Sequence, residues 1–148
     1  MNVVLDTNVV VSAIFWPGES RDCLVLWTKR RFQLAVTVAI LVEYEDVAGR
    51  LAKKIPEVDP GPWLKWLESK ARVYEPAPLG KQRSRDKDDD PFLACALASG
   101  AKLIVSKDRD LVGKAVWGGD PHPAAMSGSF SRAMLIRIFP IQRAGVTG

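Results

Sequence analysis

Two short apolar runs, each followed closely by acidic residues, constrain the fold of this chain most strongly. Asn2–Leu5 is NVVL and is followed directly by Asp6, whereas Leu103–Val105 is LIV and is followed by Asp108 and Asp110. Such runs are typical of strands that are buried on both faces, as in parallel sheets. In open α/β sheets the ligand crevice lies outside the carboxyl ends of the strands. We therefore expect Asp6 and Asp108 to meet at that edge if the two strands are neighbours.

The second run belongs to the most acidic stretch of the chain, residues 86–111. Its sequence PFLACALAS predicts a helix, with Pro91 in the first turn, Asp89 or Asp90 at the N-cap and Gly100 at the end. Clustered carboxylates repel one another unless a cation lies among them, which favours a metal site. The alternative is a capped helix followed by a solvated acidic loop. Six of the chain's seventeen acidic residues lie in the stretch: Asp86, Asp88, Asp89, Asp90, Asp108 and Asp110.

A third acidic contribution is expected from the segment between Val38 and about Lys54, which predicts an amphipathic helix capped by Thr37. Glu43 and Glu45 fall just beyond opposite edges of its apolar arc. Helical geometry therefore nominates two glutamates without choosing between them, and a surface role stays open for each. The arc spans roughly 120° and contains Ile40, Leu41, Tyr44, Val47, Ala48 and Leu51.

The remaining segments alternate between helical and extended patterns, which predicts an α/β fold. At 148 residues, the chain has the size of one domain, 1–148, in which residues 113–148 form a long loop and an edge strand. The predicted helices are Val9–Trp16, Ser20–Arg31 and Trp63–Lys70, and the predicted strands are Phe32–Val36, Val73–Tyr74 and a last strand within Ala133–Ile141.

Composition and charge narrow the classes of function. A net charge of +4 and a pI near 9.2 favour a polyanionic partner, although a charge of this size also serves solubility alone. The basic residues of 81–87 lie beside the acidic stretch, where they would contact phosphate or remain solvated.

No apolar run is long enough to span a membrane, and a strand at residue 2 leaves no room for a secretory signal, so we expect a cytoplasmic protein. Cys23 and Cys95 match no zinc or redox spacing and are expected to be reduced core residues.

Four patches in this order resemble the PIN-domain ribonucleases, in particular the toxins of bacterial and archaeal toxin-antitoxin pairs. They are VVLDTN at 3–8, TVAILVEYEDV at 37–47, DDDPFLACALASGAKLIV at 88–105 and VSKDRDL at 105–111. The segment GGDPHPAAMSGSFSRA at 118–133 has no counterpart in that pattern. The resemblance implies Asp6 as the first catalytic acid and favours Glu43 over Glu45. It implies Asp89 as the third acid, with Asp90 as the alternative, and Asp108 as the fourth, assisted by Asp110.

The resemblance further implies a three-layer α/β/α sandwich with a central, mainly parallel twisted sheet of four to five strands. It implies a Mg²⁺- or Mn²⁺-dependent endoribonuclease that cleaves single-stranded or looped RNA with a metal-activated water. These two ions suit the sequence, because it offers carboxylate ligands and no cluster of His or Cys. Ser106 or Asn8 would orient the ligands. A cognate antitoxin and a homodimer are the implied partners. The alternatives are an inactive PIN module that binds RNA or a protein, and a phosphoryl-accepting domain whose further motifs are absent from the sequence.

Overall fold

A five-stranded sheet lies at the centre of the molecule. The computed structural model describes residues 1–79 and 90–106 and the backbone of a strand at 135–137. The strands are β1 (Asn2–Leu5), β2 (Gln33–Val36), β3 (Arg72–Val73), β4 (Leu103–Val105) and β5 (Leu135–Arg137). Their order in the sheet is β3-β2-β1-β4-β5, in which the first four strands are parallel and β5 is antiparallel to β4.

Five helices flank this sheet within the part of the chain that the structure describes. They are α1 (Thr7–Phe15), α2 (Glu19–Thr28), α3 (Val38–Lys54), α4 (Gly61–Lys70) and α5 (Asp90–Ser99). Their buried faces join the central strands in one hydrophobic core, in which Tyr44 and Phe92 are among the largest fully buried side chains. The four parallel strands and their flanking helices confirm the predicted α/β/α sandwich. Strand β5 lies at the sheet edge, within the segment Ala133–Ile141 that was expected to supply the last strand.

Strands β1 and β4 are direct neighbours, as the prediction of a shared acidic edge requires. Leu5 pairs with Val105, and the Asp6 amide donates to the Val105 carbonyl oxygen at 2.9 Å. The chain leaves β1 toward β2 on one side, whereas β4 lies on the other side. The carboxyl end of β1 is therefore the point at which the connections diverge, which is where α/β sheets place their ligand sites.

Helix α5 is fixed at its far end to the start of β1. The Asn2 side-chain amide donates to the Ser99 carbonyl oxygen at 2.8 Å and to the Tyr74 hydroxyl at 3.0 Å. Helix α5 packs against β1 and β2, and its last residue, Ser99, contacts the first residue of β1, Asn2, so α5 and β1 run in opposite directions. The helix rises about 15 Å over its length and the strand about 13 Å, so Asp90, the first residue of α5, lies toward the same sheet edge as Asp6.

Several element boundaries differ from the sequence prediction for local reasons. Helix α1 begins at Thr7 and not at Val9, because Asp6 is its N-cap. Helix α2 ends at Thr28 and not at Arg31, because Arg30 adopts a left-handed conformation with φ 59° that closes the helix. Helix α4 begins at Gly61, whose amide is held by Asp59 Oδ1 at 2.9 Å. Strand β2 begins one residue later than predicted, and β3 lies one residue earlier than predicted.

Other predictions fall on parts of the chain outside the described residues. These are the basic segment 81–87, the segment 118–133 and the acids Asp89, Asp108 and Asp110. The assignment of 113–148 to the same domain stays a prediction. Among the residues that the structure describes, no helix is long and apolar enough to cross a membrane.

Candidate functional site

Asp6 is fixed at the carboxyl end of β1 by both its backbone and its side chain. The Asp6 amide continues the hydrogen-bond ladder between β1 and β4. The Asp6 side chain caps α1, because its Oδ1 atom accepts a hydrogen bond from the Thr7 amide at 2.8 Å. The Ser106 hydroxyl donates to the other carboxylate oxygen, Oδ2, at 2.8 Å. Only 5% of Asp6 is exposed and Ser106 is fully buried. The carboxylate is therefore held from two neighbouring strand ends. Ser106, one of the two residues expected to orient the ligands, contacts Asp6, whereas its role at a metal ion stays a prediction.

Glu43 reaches this strand end from α3. The Thr7 hydroxyl donates a hydrogen bond to Glu43 Oε2, so Thr7 contacts two carboxylates, one through its amide and one through its side chain. Thr7 is buried and Glu43 is half-buried, whereas Glu45 is exposed. The fold thus resolves the choice that helical geometry left open: Glu43, not Glu45, lies beside Asp6.

Tyr44 fixes α3 to the end of β1. Its hydroxyl donates to the Leu5 carbonyl oxygen, and its side chain is fully buried. Burial raises the pKa of Tyr44 well above its usual value, and the neighbouring Cys95, Asp6 and Glu43 groups raise it further. The Tyr44 hydroxyl therefore stays protonated and continues to donate. Sequence reasoning placed Tyr44 on the apolar arc but missed this contact, because its partner is a backbone atom on a distant strand.

Of the remaining predicted acids, Asp90 lies at the start of α5 and the others lie outside the described residues. Asp90 is the first residue of α5, so it belongs to the helix and is not its N-cap, and its side chain is half-buried. Asp89, Asp108 and Asp110 fall outside the described residues, although Asp108 follows β4 by three positions. The structure thus brings Asp6 and Glu43 together and places Asp90 toward the same edge.

The chemistry of these donors fits a hard divalent cation. Within residues 1–79 and 90–106, no three His, Cys, Asp or Glu side chains form a group that could hold a metal ion. The two acids joined by Thr7 are oxygen donors of the kind that Mg²⁺ and Mn²⁺ prefer. Burial raises the pKa of both cysteine thiols, Cys23 and Cys95, from 9.0 to about 12, which makes them poor ligands and poor nucleophiles. The described residues therefore supply part of a carboxylate site and no competing soft ligand.

Comparison with known proteins adds one match. A family model described as PIN domain matches residues 2–110, a span that contains β1 to β4 and every acid named above. No curated protein matches the chain, and no solved structure matches it.

Proposed function

The chain belongs to the PIN-domain family, and on this premise we propose that it is a Mg²⁺- or Mn²⁺-dependent endoribonuclease that hydrolyses single-stranded or looped RNA. PIN domains have a nuclease-type fold and are generally nucleases of this ion class. The observation that carries the proposal is the pairing of Asp6 and Glu43 through Thr7 at the carboxyl end of β1. Two neighbouring carboxylates at a ligand crevice favour a cation between them.

In this proposal, Asp6 and Glu43 hold the cation together with Asp89 or Asp90 and with Asp108, and Asp110 assists. When bound, the cation would lower the pKa of a water molecule and offset negative charge on the scissile phosphate. Thr7 and Ser106 keep the carboxylates at a fixed spacing, since each donates to at least one of them. Asp6 and Glu43 are thereby held in place before a substrate binds.

The chain's own residues favour water as the nucleophile. The sequence contains one histidine, His122, so a set of histidine bases is excluded. The raised pKa values of Cys23 and Cys95 keep both thiols protonated at neutral pH, and neither is exposed. A covalent intermediate on serine or cysteine would need an activating base beside the attacking side chain. The single histidine and the protonated thiols therefore favour water as the nucleophile.

We further propose that the protein is the toxin of a toxin-antitoxin pair and acts in the cytoplasm. The support is its resemblance to that branch of the family, carried by the four sequence patches. Its partners would be an RNA substrate and an antitoxin whose cationic side chain covers the acidic pocket, and the toxin would form a homodimer. The reading frame next to the gene offers the simplest check, since a small antitoxin would be encoded there.

Cleavage of labelled single-stranded and structured RNA tests the enzymatic proposal. The purified protein should cleave in the presence of Mg²⁺, stop in EDTA and resume when Mg²⁺ is restored. Asp6→Asn should abolish cleavage, since it removes the charge but keeps an N-cap acceptor. Cleavage that survives both EDTA and Asp6→Asn would refute the proposal. Binding of RNA without cleavage and without affinity for Mg²⁺ would instead favour an inactive PIN module.

A further inference from the structure

A groove with a volume of about 370 Å³ runs between α1 and α3, beginning beside the acidic site. Asn8, Ser12 and Trp16 line one wall, and Val47, Arg50 and Lys54 line the other. Asn8, Ser12 and the C-cap residue Trp16 recur every four positions along α1, so they share one face, and Val11 completes that wall. On α3 the lining residues continue the face that Glu43 begins, because Glu43 and Val47 are also four positions apart.

The groove has a direction. Both α1 and α3 begin at the carboxyl ends of parallel strands, so they run the same way. Asn8 follows Thr7, which contacts both site carboxylates. Trp16 lies about 12 Å further along the helix axis, and Lys54 ends α3 on the opposite wall. The groove therefore leads from the acidic site to an indole and a cationic helix end.

The charge of the groove suits a polyanion. Arg50 and Lys54 are exposed, and neither forms an ion pair within the part of the chain that the structure describes. Among the described residues, those that line the groove include no acid. A strand whose reacting phosphate lies at the acids would thus meet positive charge as it leaves them. This order of charges suits a phosphate backbone, because the cation of the proposed function would hold the reacting phosphate at the acids and the cationic groove would hold the phosphates beyond it. An acidic patch on a folded protein has no reacting phosphate to place beside Glu43.

Trp16 indicates which form of nucleic acid the groove accepts. Its side chain is 47% exposed, although the adjacent Phe15 is buried in the core. The Trp16 amide donates to the Ser12 carbonyl oxygen at 2.9 Å, and its ring contacts Phe15 with centroids 6.0 Å apart, so the indole starts from a fixed position. An exposed aromatic ring beside cations is the arrangement that stacks on bases of single strands, whose faces are uncovered, unlike those of a duplex.

We propose that the α1-α3 groove binds the part of a single-stranded nucleic acid that extends beyond the acidic site, with Trp16 stacked on a base and Arg50 and Lys54 on phosphates. The inference rests on the proposed nuclease function, because that function places a phosphate at Asp6 and Glu43. It deepens that function by identifying where the substrate strand runs and why a single strand is selected.

Binding of a fluorescein-labelled single-stranded oligouridylate, measured by anisotropy in Mg²⁺ with Asp6→Asn as the non-cleaving parent, tests the groove. Arg50→Gln with Lys54→Gln should weaken binding and reduce the slope of log affinity against log salt by about 1.4, since each lost phosphate contact removes about 0.7. Trp16→Ala should weaken binding roughly tenfold or more with the slope unchanged. Trp16→Phe should restore part of the affinity.

The matched control is Lys65→Gln with Lys70→Gln, which removes two exposed charges from α4. This control should leave the slope close to that of the parent. An equal fall in slope for the α4 pair, or no effect of the groove variants in protein whose thermal unfolding is unchanged, would overturn the inference. Binding of a polyglutamate peptide that depends on Arg50 and Lys54, with oligouridylate binding unaffected, would overturn it in favour of an acidic protein partner.

The outcome is separable from that of the proposed function. Cleavage is measured on protein that retains Asp6, whereas the groove is tested by binding alone. A protein that cleaves but shows no dependence on Trp16, Arg50 or Lys54 would keep its function and lose the groove. A protein that shows the predicted binding signature but never cleaves would keep the groove and lose the nuclease.

Discussion

Thr7 and Glu43 are thirty-six residues apart in sequence, yet the Thr7 hydroxyl donates a hydrogen bond to the Glu43 carboxylate. The amide of the same residue donates to Asp6 at 2.8 Å. One buried threonine therefore fixes the spacing of two carboxylates, one directly after β1 and one on α3. Substitution of Thr7 therefore tests the geometry of the site without removing either acid.

Thr7→Val removes the hydroxyl but keeps the branched shape and the backbone amide. Glu43 then loses its donor while Asp6 keeps its own, so we expect Mg²⁺ affinity or RNA cleavage to fall about 10- to 100-fold. Single-turnover cleavage over a range of Mg²⁺ concentrations measures this effect. Thr7→Ser, which retains a hydroxyl, should recover most of the loss.

Thr28→Val is the matched control for this substitution, because the Thr28 hydroxyl donates only to a carbonyl oxygen of its own helix, that of Val25. It should leave cleavage unchanged. Equal activity of Thr7→Val and the wild type would show that the contact with Glu43 has no part in function.

Glu43→Gln and Glu45→Gln form a second matched pair on one helix. Glutamine keeps an oxygen that accepts from Thr7 but removes the charge, so Glu43→Gln should slow cleavage by about 10²-fold or more. Glu45 is exposed and lies away from the site, so Glu45→Gln should have little effect. The measurement is the single-turnover rate of each variant. A larger loss for Glu45→Gln than for Glu43→Gln would contradict the assignment of Glu43 as the catalytic glutamate.

Tyr44→Phe should destabilise the fold and loosen the attachment of α3. The substitution removes the donor to the Leu5 carbonyl oxygen in a fully buried position, which costs about 1–2 kcal/mol in the free energy of unfolding. Urea unfolding measures this cost. An unchanged unfolding free energy would mean that the hydroxyl contributes nothing to the packing of α3 on β1.

The two buried cysteines predict how stability depends on pH. Burial raises the pKa of Cys23 and of Cys95 from 9.0 to about 12, so the folded protein retains protons that the unfolded chain releases. Their contribution to stability is complete below pH 9 and is lost as the pH rises from about 9 toward 12. Urea unfolding across this range should show a steeper fall for the wild type than for the double variant Cys23→Ala and Cys95→Ala. Parallel falls would contradict the assigned shifts.

The two buried strands and the position of Asp6 at the end of the first were predictable from sequence, because each strand is a short apolar run followed by acids. That these two strands are neighbours was not predictable, because strand pairing depends on contacts between distant parts of the chain. Helical geometry could not choose between Glu43 and Glu45, since the two side chains flank the apolar arc symmetrically, although the family resemblance favoured Glu43. The docking of α3 against Thr7 separates the two. The end of α2 was mispredicted because the left-handed residue that closes it is Arg30 and not a glycine. The roles of Asp89, Asp108 and Asp110 stay predictions.

Binding of Mn²⁺ tests the central claim most directly, because it needs no knowledge of the RNA target. Free Mn²⁺ is followed by electron paramagnetic resonance as protein is added, with Mg²⁺ as competitor. We predict saturable Mn²⁺ binding that Mg²⁺ displaces and that Asp6→Asn weakens at least about tenfold. Equal Mn²⁺ binding by the wild type and by folded Asp6→Asn, or none by the wild type, would contradict a cation site at the end of β1.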